Sequence, residues 1–86
     1  MTVFLLATDA PIARLGVAAT KKLGDAVKRN RAKRLAREVF RRHRPAGGHD
    51  VVIIPRREML DAPFPYLEAD FDELLKRHGT RRAQKL

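Results

Sequence analysis

Residues 26–41, AVKRNRAKRLAREVFR, combine an apolar stripe with a dense cluster of cations at helical spacing. Between Lys28 and Arg44 there are nine Lys or Arg residues and one acid, Glu38, so this segment carries a net charge of +8. The rest of the chain has ten basic and nine acidic residues and adds only +1 to the total of +9. A charge this concentrated predicts a surface for a polyanion, of which nucleic acid is the commonest kind.

The two sides of this predicted helix differ sharply at about 100° per residue. The apolar arc, which we expect to pack on a sheet, contains Ala32, Leu35, Ala36, Val39 and Phe40. The other side repeats at i, i+4, i+7 and i+11 and carries Asn30, Arg34, Arg37 and Arg41, with Arg31 beside them. Lys28, Arg29 and Lys33 flank the boundary. Guanidinium groups pair bidentately with phosphate and an Asn amide bonds sugars or base edges, so this side is the candidate binding face.

The segments around this helix predict a small sheet. Two apolar runs, residues 2–8 and 14–20, are joined by a turn-like link and predict a hairpin. Residues 50–55 are apolar on both faces and predict a central strand. A closing helix follows, with acids toward its front, Lys76 and Arg77 near its end, and Gly79 as its stop. The order β-β-α-β-α predicts one α+β domain over residues 1–80, a small mixed sheet with a long basic crossover helix, followed by a basic tail, 81–86.

Composition removes several classes of function. The chain contains neither Cys nor Ser, so it has no disulfide, no Cys-based zinc site and no Ser or Cys nucleophile. The lack of Cys is typical of a reducing compartment, and we expect a cytoplasmic location. No apolar run approaches the length that spans a bilayer. The three histidines lack ligand spacing, and the acids of the closing helix fit its dipole better than a metal site, so we expect no protein metal site.

Other readings of the basic helix are weaker. A solvated surface helix needs more counter-charge than Glu38 supplies, even if it pairs with Arg34, Arg41 or Arg42. A membrane-surface helix needs large apolar groups, whereas this apolar face is rich in Ala, so we expect no membrane partner. A DNA-binding helix-turn-helix needs an adjacent helix, whereas strands are expected on both sides, so we expect no DNA partner. A general or ribosomal RNA-binding protein without a nuclease role remains the alternative.

The same residues resemble the signature of the protein subunit of bacterial ribonuclease P, which reads approximately R-L-G-x-x-x-x-K-K-x-G-x-A-V-x-R-N-R-x-K-R-x-x-R-E-x-F-R. The matching positions, all in register, are Arg14-Leu15-Gly16, Lys21-Lys22, Gly24, Ala26-Val27, Arg29-Asn30-Arg31, Lys33-Arg34, Arg37-Glu38 and Phe40-Arg41. A later strand of the type D-x-V-V-I is matched by residues 50–54. The resemblance extends over most of the chain and is far more specific than a basic helix alone.

The resemblance implies a left-handed β-α-β crossover, as in domain 2 of ribosomal protein S5. It implies that the chain is a subunit of an endoribonuclease that removes the 5′ leader of precursor tRNA and leaves a 5′-phosphate on the mature tRNA. The catalytic RNA performs this hydrolysis with Mg²⁺, so no protein residue is catalytic, and a cleft on the sheet holds the leader. The implied RNA-binding residues are Arg14, Lys21, Lys22, Lys28, Arg29, Asn30, Arg31, Lys33, Arg34, Arg37 and Arg41.

The start of the chain departs from this family. Its members usually begin with a further helix and strand before the segment that matches Thr2, and aromatic residues there help to form the leader cleft. The chain lacks these residues, although Phe4 remains to line the sheet. We expect one of three explanations: a start codon placed too far downstream, a fragment, or a reduced variant. In each case we expect a bare edge of the sheet, marginal stability and weakened recognition of the leader.

Overall fold

A sheet of three strands carries the helices. The computed structural model describes residues 1–45 and 47–85, with side chains as far as Arg77. In chain order the elements are β1 (Thr2–Ala7), β2 (Arg14–Val17), a 3₁₀ turn (Lys21–Leu23), α1 (Ala26–Arg42), β3 (His49–Ile54), α2 (Glu58–Asp61) and α3 (Phe64–Lys85). The predicted fold class, a small α+β domain with a mixed sheet and a long basic crossover helix, is confirmed.

The central strand of the sheet is β3, as its apolar faces predict, and the predicted β1–β2 hairpin is wrong. The strand order is β1-β3-β2, with β1 antiparallel and β2 parallel to β3. The link between β1 and β2 crosses the start of β3, where the Thr8 N–H donates to the Gly48 carbonyl and the Gly48 N–H donates to the Ala10 carbonyl, both at 2.9 Å. A Cβ on Gly47 would lie 2.1 Å from the Pro11 carbonyl oxygen, so this crossing requires glycine. The segment β2-α1-β3 is therefore a parallel crossover, whose hand stays a prediction.

The core lies on one face of the sheet. Strand alternation directs two rows of apolar side chains to this face, Leu5–Val51–Leu15 and Val3–Ile53–Val17. Helix α1 packs near β2 and helix α3 near β1. The buried residues that form the continuous core are Val3, Leu5, Ala13, Ala36, Val39, Phe40, Val51, Ile53, Met59, Leu67 and Phe71. The opposite face of the sheet has no helix against it within the described part of the chain.

Helix α1 begins and ends at recognisable signals. Gly24 has a φ of +127°, a conformation that favours glycine, and a Cβ there would lie 2.8 Å from the Lys28 side chain. Asp25 is the N-cap, and its carboxylate accepts a 3.0 Å hydrogen bond from the Lys28 backbone N–H. At the other end His43 is the C-cap, and its Nε2 lies 2.9 Å from Glu68 Oε2 on α3. This polar contact links the two long helices at the end of α1.

The region after β3 differs from prediction in two places. The sequence patterns do not indicate the one-turn helix α2, which buries Met59 in the core. Helix α3 starts at Phe64, with Pro65 in its first turn, where the missing N–H has no intrahelical acceptor to lose. The helix continues through Gly79, so the predicted stop there is wrong: an interior glycine costs only about 1 kcal/mol. The side chains of the predicted tail, 81–86, and the whole of Leu86, lie outside the described residues.

Candidate nucleic-acid interface

One side of α1 is a ridge of exposed polar side chains, which we call the α1 ridge: Asn30, Arg34, Arg37 and Arg41. The opposite side is buried against the sheet and α3 through Ala32, Ala36, Val39 and Phe40. Leu35 lies half-buried at the margin between the two. The predicted division of the helix into a packing face and a cationic face is therefore confirmed.

Glu38 is the only acid in α1, and two arginines already share it. The Arg41 guanidinium donates to both carboxylate oxygens, at 3.2 and 2.6 Å, and Arg42 Nε donates at 3.0 Å. These hydrogen bonds, with the two positive charges, lower the pKa of Glu38 below its ordinary range. Within the described part of the chain Arg31, Arg34 and Arg37 form no ion pair. Their charges therefore remain available to an external anion.

The other candidate cations of this region lie beside the ridge. Lys21 and Lys22 are exposed on the 3₁₀ turn that precedes α1, and Lys28 is exposed in the first turn of the helix. Arg29 and Lys33 are half-buried, as expected at the boundary of the apolar arc, whereas Lys28, predicted at the same boundary, is exposed. The candidate cations of α1 and of the turn before it thus extend the basic surface from the helix N-terminus to its last turn.

Arg14 lies away from the ridge, on the open face of the sheet. It pairs with Asp50 in a bidentate contact, Nε to Oδ1 at 3.0 Å and Nη2 to Oδ2 at 2.9 Å, between neighbouring strands. The hydrogen bond and the charge of Asp50 raise the pKa of Arg14. The structure therefore separates the sequence-predicted set into two surfaces, and Arg14 belongs to the second.

This open face of the sheet is largely apolar. Phe4 and Leu6 on β1 are 51% and 53% exposed, and Phe4 lies in register with Val52 of β3. A shallow depression here is lined by Leu6, Arg14, Gly16, Asp50 and Val52, together with Leu15 and Val51, whose side chains belong to the core face. A Cβ added to Gly16 would contact only the Val52 side chain, at 3.8 Å. Because glycine has no side chain, the depression stays open at this position. The face offers an apolar floor with one ion pair at its side.

A groove between α1 and the start of α3 was not found from the sequence. The Arg42 guanidinium carbon lies 5.1 Å from the centroid of the Phe64 ring, although the two residues belong to different helices. We call this depression the Arg42 groove; it is lined by Arg31, Arg34, Leu35, Glu38, Arg42 and Phe64. The sequence contains only one indication of this groove, the i, i+4 spacing of Glu38 and Arg42. The position of Phe64 depends on tertiary packing and cannot be inferred from local spacing.

Neither a metal site nor a membrane span is found among the described residues. No group of three or more His, Asp or Glu side chains in them is placed to hold a metal ion. None of the helices, over the same part of the chain, is both long and apolar enough to cross a bilayer.

Fold and surface together define a class, the small α+β domains whose cations are concentrated on one crossover helix. Residues 1–79 match the family model described as Ribonuclease P. The ribonuclease P protein component of Symbiobacterium thermophilum is 48% identical over 68 residues, covering 77% of this chain. That of Desulfatibacillum aliphaticivorans is 41% identical over 80 residues, covering 86% of this chain and 68% of the relative. This chain belongs to the ribonuclease P protein family.

Solved structures agree with this assignment. The ribonuclease P protein of Thermotoga maritima matches with a TM-score of 0.75 and 34% identity, covering 87% of this chain and 74% of the other. That of Staphylococcus aureus matches with a TM-score of 0.69 and 31% identity, over 86% and 70% of the two chains. The chain spans 59% of the length of the Symbiobacterium relative and 54% of the relative from Oleidesulfovibrio alaskensis, so it covers a little over half of each.

Proposed function

We propose that this chain acts as the protein component of a bacterial ribonuclease P, in the cytoplasm, by binding the catalytic RNA subunit through the α1 ridge. The observation that carries the proposal is the ridge itself: Arg34 and Arg37 point away from the core, form no ion pair among the described residues, and sit in the segment with a net charge of +8. Free guanidinium groups in a row suit successive phosphates of an RNA backbone. Membership of the ribonuclease P protein family supports the catalytic RNA as this partner.

The open face of the sheet is proposed to receive the single-stranded 5′ leader of precursor tRNA. Exposed Phe4 and Leu6 supply apolar surface against which unstacked bases lie. Arg14 stands at the side of this surface, where a phosphate of the leader would compete with Asp50 for its guanidinium. Gly16 keeps the floor low enough for a strand to approach the backbone. Two RNA segments then contact the protein on different surfaces, the catalytic RNA on α1 and the leader on the sheet.

The protein is proposed to assist the reaction rather than perform it. With the hydrolysis carried by the RNA and its Mg²⁺, the cations of α1 act by reducing repulsion between the phosphates of two RNA molecules. This effect is largest where few other cations screen the phosphates. The protein is therefore expected to raise cleavage most strongly at low salt and low Mg²⁺.

Cleavage of precursor tRNA tests the proposal. The protein with cognate catalytic RNA and Mg²⁺ should cleave faster at low salt than the RNA alone, and the purified protein alone should not cleave. Affinities for the catalytic RNA, ribosomal RNA and duplex DNA, measured in one buffer, form the control, and the first should be the highest. Equal affinity for both RNAs with no gain in cleavage would indicate a general RNA-binding protein. Metal-dependent cleavage by RNA-free protein would overturn the proposal.

A further inference from the structure

We propose that the Arg42 groove binds one unstacked nucleotide of a single-stranded RNA segment, with its base against Arg42 and its phosphate between Arg31 and Arg34. This inference rests on the proposed function, because it assumes that RNA lies along α1. The proposed interface then includes two surfaces: the α1 ridge, which binds phosphates, and the Arg42 groove, which binds a base.

The Arg42 groove offers one surface for the base of a nucleotide and another for its phosphate. Its floor is apolar, formed by Leu35 and Phe64, both half-buried at the edge of the core. Its rim is cationic, because Arg31 and Arg34 line it, are exposed and form no ion pair within the described residues. The flat face of a base suits the apolar floor, and the anionic phosphate suits the cationic rim.

Arg42 is held in place before any ligand arrives. The Glu38 carboxylate accepts from its Nε at 3.0 Å, and the Phe64 ring lies under the guanidinium at 5.1 Å from its centroid. The Arg42 side chain is nevertheless 53% exposed, so its outer surface is open to the groove. A guanidinium plane is a good partner for a stacked base, and one that is already ordered loses less conformational entropy on binding.

The positive charge of the Arg42 groove favours an RNA strand over an apolar protein segment. An apolar protein segment covering the floor would also cover Arg31 and Arg34 and leave two cations without partners, which is costly. An RNA strand brings a phosphate to each base, and Arg34 belongs to both the ridge and the groove. A duplex keeps its bases stacked inside, so the groove is suited to single strands.

Two substitutions test the base contact. Arg42→Lys keeps the charge but removes the planar group, and Phe64→Leu keeps an apolar floor but removes the ring. The matched control is Arg44→Lys, because Arg44 also lies over an aromatic ring, that of Phe40 at 5.6 Å, but does not line the groove. Binding is measured with a single-stranded oligoadenylate that carries 2-aminopurine, and with an RNA duplex of the same length, in one buffer.

Both groove variants should weaken binding of the single strand by at least about fivefold, the low end of what one stacked base contributes. They should leave duplex binding unchanged and reduce the quenching of 2-aminopurine, while Arg44→Lys changes nothing. Equal losses on both RNAs, or an Arg44→Lys effect as large as that of Arg42→Lys, would overturn the inference, as would a wild-type protein that does not bind the oligoadenylate. If circular dichroism shows that Phe64→Leu is unfolded, Arg42→Lys gives the answer.

The cleavage assay separates this inference from the proposed function. If wild-type protein stimulates the catalytic RNA but Arg42→Lys binds oligoadenylate normally, the groove is not a base site and the proposed function stands. If wild-type protein gives no stimulation but Arg42→Lys loses single-strand binding selectively, the proposed function fails and the groove remains a base site.

Discussion

Arginine side chains in this protein have different roles according to the acids beside them. Arg14 is joined to Asp50 across two strands, and Arg41 is joined to Glu38 within one helix. Arg37 is exposed and forms no ion pair among the described residues. A phosphate can therefore bind Arg37 without displacing a carboxylate, whereas at Arg41 it competes with Glu38.

Replacing Arg37 with Ala should weaken binding of the catalytic RNA and leave the fold intact, because the side chain faces away from the core. Loss of one phosphate contact should lower the salt slope of binding by about one. The measurement is a filter-binding titration at several salt concentrations, with circular dichroism to check the fold. The control is Lys76→Ala, which removes an exposed cation of α3. A variant that binds normally, or that is unfolded, contradicts the assignment of the ridge.

The Glu38 pairs predict a pH-dependent contribution to stability. The pKa of Glu38 is lowered in the folded protein from an ordinary value of 4.5, so the carboxylate stabilises the fold above that pH. The contribution disappears as the pH falls through the lowered pKa. At neutral pH Glu38→Gln should therefore melt slightly below the wild type, by a small margin because the pairs are exposed. Thermal melts at successively lower pH should show this gap closing, and a gap that widens in acid would contradict the argument.

At the level of the secondary-structure elements, α1 has the most clearly specified limits. Gly24 adopts a φ that favours glycine, Asp25 caps the first turn, and His43 ends the helix. Since the whole α1 ridge lies on this one helix, the register of its cations depends on where the helix starts. The N-cap therefore contributes both to stability and to the geometry of the candidate interface.

Asp25→Ala should lower the free energy of unfolding by about 1 kcal/mol, because the Lys28 N–H loses its side-chain acceptor. Asp25→Asn is the matched control, since an amide oxygen also caps a helix well. Urea denaturation of the three proteins measures the difference. If Ala and Asn variants are equally destabilised, the loss comes from the charge of Asp25 near the helix N-terminus and not from the cap.

Over the whole molecule, the sheet divides the surface into two regions of different chemistry. The helices cover one face and expose the ridge, whereas the other face is apolar, with Phe4 and Leu6 uncovered in the described structure. Most of the net charge lies in the segment that contains α1. Long-range attraction of RNA should therefore come from the helix side of the protein.

Binding of the catalytic RNA should fall steeply with salt. If about six phosphates are contacted, affinity should drop by roughly a thousandfold between about 50 and 200 mM salt, on the calibration for duplex DNA. Equilibrium binding over that range gives the slope directly. A flat response would show that α1 and its cations are not the interface.

Features that depend on local periodicity could be predicted from the sequence. The two sides of α1 follow from the 3.6-residue repeat, because a helix turns every side chain by a fixed angle. The central place of β3 follows from apolar residues on both of its faces, since such a strand is poorly suited to an edge. The exposed side of the helix that carries Arg34 and Arg37 therefore follows from the sequence alone. Their contact with RNA stays a prediction.

Features that depend on contacts between distant segments could not be predicted from the sequence. The runs that form β1 and β2 look like a hairpin because they are adjacent in sequence, yet β3, from more than thirty residues later, pairs with both. The resemblance implies one set of RNA-binding residues that includes both Arg14 and the cations of α1, but the strand of Arg14 places it on the open face beside Asp50. The contact of Arg42 with Phe64 exists only because α3 returns past the end of α1. Pairing and packing across the chain depend on which surfaces bury together, and no short window of sequence contains that information.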